Sequence, residues 1–306
     1  MASESKLKLK SQSAFMQQFQ LEKRVLLPAD KRRGSAALRG AQDADDVPVL
    51  IKTWPRVAGN DDSDLREIWR NEIRQLHRLA GHPTASDYIV ELRTAHEDET
   101  GFHLVLNPGE RRPLDKFFGE ADSSGRREIP REFRDRRLVW ANLRRIANGL
   151  ELLHSQGLLH RNLSTWSVLT NGRGEVDFQL TGFEWSMRLA SSEGKTGAKK
   201  ALSRPTSSDS FIRDWQDFGE LAVQLLGIGS KIKNRAVANH EVSEAFSADE
   251  IKLLRQLLQI VPTELVDGGF VIGRIDEVFR AVDAQAKGIE PRFNLILTLG
   301  QNSDLG

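Results

Sequence analysis

The chain has 306 residues, 39% of them hydrophobic and 28% charged, which suits one two-part domain or two small ones of ordinary globular composition. A net charge of +1 gives no bulk attraction for nucleic acid or for an anionic membrane. Cysteine is absent, which excludes disulfides, thiol nucleophiles and thiolate metal sites and makes a reducing cytoplasm the simplest setting. No run of about 18 apolar residues exists to span a bilayer, and Met1–Lys10 lacks the apolar stretch of a secretory signal.

Residues 1–18 read as a polar tail. Phe19–Leu27 and Ser35–Gln42 read as strands on either side of a basic turn, Pro28–Gly34. Asp43–Asp46 is an acidic turn ahead of a short apolar strand, Val47–Thr53. Asp61, Asp62, Ser63 and Asp64 then supply an N-cap and favourable dipole charge. Leu65, Ile68, Trp69, Ile73, Leu76 and Leu79 recur at helical spacing behind them. Glu72 falls on that apolar face, where a carboxylate is costly without a partner; either it lies at a solvated edge or it meets a cation.

Ile89–Leu92 and Phe102–Leu106 read as paired strands about the Glu97–Gly101 turn, and Asn107-Pro108-Gly109 as a linker. Helical stripes follow: Leu138, Val139, Leu143, Ile146, Leu150 and Leu153, stopped near Gly157, then Trp215, Phe218, Leu221, Ala222 and Leu225. Ser247 with Glu250 forms a capping box for a helix over Ile251–Ile260. Residues 191–210 are rich in Ser, Lys and Gly without an apolar period and read as a mobile loop. Phe293–Gly300 alternates apolar and polar like a strand.

Several spaced motifs occur in a meaningful order. His160-Arg161-Asn162-Leu163-Ser164-Thr165-Trp166-Ser167 resembles the H-R-D-L-x-x-x-N catalytic loop of protein kinases. Val49-Leu50-Ile51-Lys52 is similar to the kinase V-A-I-K strand, and Glu72 matches the helix glutamate that pairs with its lysine. Leu180-Thr181-Gly182-Phe183-Glu184 stands in the place of D-F-G, and Asp214-Trp215-Gln216-Asp217-Phe218-Gly219 resembles D-x-W-x-x-G with the tryptophan displaced by one. Over roughly residues 19–286 the chain resembles a degenerate member of the eukaryotic-like protein kinase superfamily, a pseudokinase.

That resemblance implies an α+β, two-lobed protein-kinase-like fold. Residues 19–108 would form a small, mostly-β lobe with one main helix, and 109–289 a larger helical lobe carrying the 191–210 activation-segment-like loop. The 290–306 tail would begin a further domain of a longer protein.

The implied chemistry is depleted. Asn162 replaces the aspartate that accepts the substrate hydroxyl's proton, and Ser164 the lysine that neutralises the transferring phosphate. Ser167 and Gly182 replace two Mg²⁺ ligands; Glu184, two residues on, is a poor substitute because the family's chain bends there. In the glycine-rich loop only Gly34 remains, with Ala29 and Lys31 at the other glycine positions. Lys31, Arg32 and Arg33 either are solvated or bind phosphate by side chain. Leu50, Leu106 and Leu169 line or occlude the adenine slot, Leu50 standing where the family has a small alanine. Lys52 and Glu72 are retained as a structural pair, and His160, Arg161, Phe183, Asp214 and Gly219 as architecture. The A-P-E motif is lost, Ser203–Thr206 being the closest piece.

Other chemistries find no pattern: neither H-E-x-x-H nor G-x-S-x-G occurs. Arginine pairs at 111–112, 126–127, 136–137 and 144–145 are mixed with acids, as on a solvated, salt-bridged face, so nucleic-acid binding is not expected.

The expectation is a catalytically inactive kinase-like domain, not an enzyme, that binds protein partners as a scaffold or regulator in the cytoplasm, with no Mg²⁺ and no firm ATP binding. Two alternatives are a non-standard nucleotide-dependent transferase using Lys52 and Glu72, and a metal-free nucleotide-binding switch.

Overall fold

The structure is a computed structural model that describes residues 13–57, 59, 61–119, 128, 134–188, 210–261 and 266–286. Most of the expected 191–210 loop, the Ser203–Thr206 piece and the 290–306 tail lie outside the described residues.

The first half is built on an antiparallel sheet. Its strands are β1 (Gln20–Asp30), β2 (Ala36–Gln42), β3 (Pro48–Pro55), β4 (Glu91–Glu97) and β5 (Gly101–Asn107), in the order β1-β2-β3-β5-β4. The sequence places β1 too short. Its pairing with β2 runs on to Asp30 opposite Ala36, so residues 31–35 form the turn, a 3-10 turn over 31–33 closed by Gly34 at φ 58°.

The period of two along β3 sets Leu50, Lys52 and Trp54 on one face and Val49 and Ile51 on the other. Both faces are buried, which is why this strand reads as a continuous apolar run. The inner face meets helix α1 (Ser63–Ala80). The outer face is covered by the residues just before β1 and by Leu21 at its start. Phe15, Met16, Phe19 and Leu21 pack over Ala41, Val49, Ile51 and Val105, and Phe15 stacks on His96 with ring centroids 4.3 Å apart. Within the expected 1–18 tail, therefore, the described residues 13–18 form part of the packed structure.

α1 buries Trp69, Glu72, Leu76 and Leu79, the stripe its spacing predicts. Asp61 accepts hydrogen bonds from the Ser63 amide (2.9 Å) and hydroxyl (2.8 Å), which orders the helix start. After a single turn of helix, α2 (Ala85–Tyr88), the expected strand at Ile89 does not form. Strand β4 starts at Glu91, and Ile89–Val90 instead bridges to Leu180, the Val90 amide donating to the Leu180 carbonyl at 2.9 Å. This bridge ties the sheet region to the second half of the chain.

That second half is mostly helical. The long helix α3 (Arg136–Ser155) packs against α4 (Phe211–Leu226) and α7 (Gly268–Ala286), while α5 (Asn239–Val242) and α6 (Ala248–Leu257) fill in beside them. Asp135 caps α3 by accepting from the Arg137 amide, and Ser247 and Glu250 cap α6 reciprocally. The expected Ile251–Ile260 helix is shifted three residues towards its cap. Short strands β6 (Arg112–Pro113), β7 (Leu158–Leu159), β8 (Val168–Thr170), β9 (Gln179–Leu180) and β10 (Met187–Arg188) form two small ribbons, β6-β8-β9 and β10-β7, which frame the loops between them.

The fold is thus mixed α and β, a five-stranded antiparallel sheet with seven α-helices among the described residues, and it is consistent with a kinase-like fold. The described arginine pairs are largely engaged: Arg144 reaches Asp276 at 2.7 Å, Arg112 reaches Glu22 at 2.7 Å, and Arg145 donates to the Phe178 carbonyl at 3.1 Å. No described helix is long and apolar enough to cross a membrane.

Replacing Phe15 by alanine removes a half-buried ring from the outer sheet face. The expected loss is ~1–2 kcal/mol, read as a lower urea midpoint at unchanged m-value.

Candidate functional site

Three buried side chains meet between β3, α1 and the segment after β9. Lys52 points inward from β3, and its Nζ lies 2.7 Å from Glu72 Oε2 and 3.0 Å from Oε1. The same Nζ forms an ion pair with Glu184 Oε1 and lies 5.2 Å from the centre of the Trp54 ring. Both glutamates are fully buried. Of the two readings open for Glu72, the solvated edge is therefore corrected: the residue is enclosed and meets a cation. Its Oε1 also accepts from the Phe183 amide at 3.4 Å, which links α1 to the Gly182–Glu184 segment.

One ammonium faces two carboxylates, so the cluster carries one negative charge in excess if both acids ionise. Burial, opposed by Lys52 and reinforced by Glu184, raises the Glu72 carboxyl from its ordinary 4.5 to about 7. Arg33 is the next cation. It is buried, near enough to feel Glu184, and lies with its guanidinium carbon 5.5 Å from the centre of the Trp166 ring.

Helix α1 clamps the same segment a second time. Asn71 Nδ2 donates to the carbonyls of Glu184 (3.2 Å) and Ser186 (2.8 Å). Neither Asn71 nor the inward aim of Glu184 follows from the sequence. Both depend on how the chain turns at Gly182, which sits at φ 85°.

The loop over 160–167 is held from below by Asp214 of α4. Fully buried, Asp214 accepts from the amides of His160 and Arg161, each at 2.8 Å, and hydrogen-bonds His154 Nε2 at 3.0 Å. Arg161 adopts φ 64°, a conformation costly for a side-chain-bearing residue and maintained here by that amide bond. His160 is enclosed; its Nε2 donates to the Thr181 carbonyl at 3.0 Å and its ring lies 5.1 Å from Phe183. Burial lowers its pKa, in keeping with a neutral ring that accepts the Asn162 amide at Nδ1. Gly219 lies where α4 meets α6; an added Cβ would approach the Cβ of Leu257 to 2.9 Å.

The residues at the implied metal and phosphate positions are committed elsewhere. Ser167 Oγ donates to the Ser164 carbonyl at 3.0 Å and accepts from the Ser164 amide at 2.8 Å. A Cβ at Gly182 would sit 3.0 Å from Ser167 Cβ and 3.2 Å from the Trp166 ring, so even an alanine is crowded there. Glu184 faces Lys52. These residues do not fit a Mg²⁺-bound triphosphate.

Lys31 is exposed, whereas Arg32 pairs with Asp30 at 3.0 Å and Arg33 is buried, so the solvated-turn reading is corrected for Arg33. Leu50, Leu106 and Leu169 are all fully buried, Leu50 and Leu106 as direct partners across β3 and β5. The cavity bounded by Leu27, Arg33, Lys52, Trp166, Gly182 and Glu184 measures about 20 Å³, room for one water molecule.

The chain is similar to curated protein kinases over part of its length. It is 28% identical over 133 residues to calcium-dependent protein kinase 19 of Arabidopsis thaliana, covering 42% of this chain and 21% of that protein. It is 30% identical over 129 residues to calcium-dependent protein kinases 26 and 25 of Oryza sativa subsp. japonica, covering 41% of this chain and 20% of each. The match thus spans about a fifth of these relatives' own length. No family model matches the sequence. Together these define a weak, partial protein-kinase-like relationship. The expectation that the chain is not an enzyme is corrected by these comparisons: the relatives it matches over part of its length are named as protein kinases, so missing motif residues alone do not place the chain outside the enzymes.

Two outcomes are expected from this geometry. Lys52→Ala leaves two carboxylates buried without their cation and should cost ~3–5 kcal/mol at neutral pH by urea denaturation. Glu72, with its pKa raised from 4.5 to about 7, binds more protons folded than unfolded within that window, so its contribution to stability is present below it and is lost as pH rises through it. The stability difference between wild type and Glu72→Gln should therefore move against the wild type from about pH 5 to about pH 7.5; a constant difference would contradict the assignment.

Proposed function

We propose that this chain is a protein-kinase-like domain working as a protein-binding, scaffolding or regulatory module, with its nucleotide cleft closed from within. The observation that carries the reading is the Glu184 carboxylate on Lys52. The kinase resemblance gives that lysine the α- and β-phosphates of a nucleotide. Here a side chain of the protein supplies the anion, so phosphate has to displace a buried, ion-paired carboxylate. The packed leucines at 50, 106 and 169 support the same reading, as does a cavity of about 20 Å³ where ligand sites ordinarily offer hundreds. A two-lobed arrangement, a cytoplasmic setting, a protein partner, and no resident nucleotide or Mg²⁺ in the closed state belong to this proposal.

A second reading is a non-standard nucleotide-dependent transferase. The kinase names of the relatives and the intact Lys52–Glu72 pair favour it. It requires Glu184 to leave Lys52.

Thermal-shift titrations with ATP and ADP, each with and without Mg²⁺, separate these readings on wild type, Lys52→Ala and Glu184→Gln. The wild type is expected to show no shift. Glu184→Gln is expected to gain one, and the gain should vanish when Lys52→Ala is added. A Mg²⁺-dependent shift of the wild type, with phosphate transfer lost in Lys52→Ala, would establish the transferase. A metal-free shift would establish a nucleotide-binding switch.

A further inference from the structure

The 31–33 turn lies against the loop that carries Asn162. The carbonyl of Arg32 accepts two hydrogen bonds, from Asn162 Nδ2 at 2.9 Å and from Trp185 Nε1 at 2.8 Å. Next to it the Arg33 guanidinium lies over Trp166 and donates to the Pro28 carbonyl, and a Cβ added at Gly34 would meet Ile68, Trp54 and Glu184. Two separate parts of the sequence, the 160–167 loop through Asn162 and Trp166 and the segment after β9 through Trp185, thus grip one turn of the β1–β2 hairpin.

The chemistry of the grip is specific. A carbonyl oxygen has two lone pairs, and both are engaged by side-chain N–H donors. Asn162 can serve because it is an amide; an aspartate there offers only acceptors at neutral pH and would face the Arg32 carbonyl with like partial charge. Trp185 offers a single N–H and no acceptor. Arg33 lines the cavity together with Glu184 and adds positive charge near the buried cluster.

We propose that the Lys31–Arg33 turn is an intramolecular latch, and that its release regulates access to the Lys52 cleft. Glu184 blocks the cleft at the lysine, and the latch shuts it from the side of Asn162. This rests on the closed-cleft reading above but is tested apart from it. The latch is held by two hydrogen bonds and one cation–π contact, without a covalent tie or a deep apolar anchor, so it opens far more readily than the sheet beneath it.

Trypsin reports the opening directly, because the turn carries the consecutive sites Lys31, Arg32 and Arg33. Under conditions where opening and closing outpace cleavage, the rate of cutting follows the population of the open state. Trp185→Phe keeps the ring and removes one donor, Arg33→Gln removes the cation, and cleavage is read after Lys31 and Arg32, the sites that the wild type and both variants share. Each is expected to speed cleavage after Lys31 and Arg32 by about fivefold, and the pair by more, with cleavage at sites elsewhere in the chain unchanged. Unchanged cleavage in both variants overturns the latch. Faster cleavage at all sites with a lowered Tm also overturns it, since the contacts would then support the whole fold. Should Trp185→Phe not fold, Arg33→Gln alone decides. Nucleotide is absent from the assay, so its result stands whether or not the cleft proves closed to ATP.

Discussion

The fold around the site depends on one buried cation. Lys52 connects a central strand, a helix and the segment after β9 through two carboxylates that have no access to water. Removing an ammonium from water is costly, and the cost is offset only when its partners are close and well oriented. Glu72 supplies both oxygens and Glu184 one. In return, each carboxylate fixes the element that carries it. Helix α1 is pinned to the sheet, and the Gly182–Ser186 segment is drawn under α1, where Asn71 receives it.

The second anchor, Asp214, works by the opposite route. Among the described residues no lysine or arginine pairs with it; it collects two backbone amides and a histidine. Such a carboxylate positions the loop whose amides it accepts. The loop it positions has its polar groups turned inward, with Ser167 spent on Ser164, His160 on Thr181 and Asn162 on Arg32. A kinase-like frame is thus combined with a loop whose serine, histidine and asparagine bond to the protein itself, while Glu184 meets Lys52 as an ion pair and both of its oxygens lack a hydrogen-bond partner among the described residues; the engagement of the loop favours the closed-cleft reading over any single missing residue.

Much of the frame was legible because periodicity and capping are local. The apolar run before Lys52, the stripe of α1 with Glu72 within it, and the Ser247–Glu250 box each follow from neighbours a few residues apart. The pairing of Lys52 with Glu72 needed the family resemblance, since twenty residues separate them. What could not be read was set by turns. Glu184 meets Lys52 only because the backbone adopts a positive φ at Gly182, and strand spacing measured from Gly182 does not describe that bend. Ile89–Val90 looks like a strand by composition, yet it leaves the sheet to bridge Leu180. The basic turn looked solvated because the aromatic and amide groups that receive it, Asn162, Trp166 and Trp185, lie more than a hundred residues away.

The cover over the outer sheet face bears on how the chain can be divided for study. A fragment begun at Gln20 would keep every strand and the buried charge cluster, yet it would leave Ala41, Val49, Ile51 and Val105 without Phe15, Met16 and Phe19. Contiguous apolar surface of that kind recruits other molecules. Self-association of such a fragment would arise from the cut itself, and a boundary drawn at or before Ser13 avoids it.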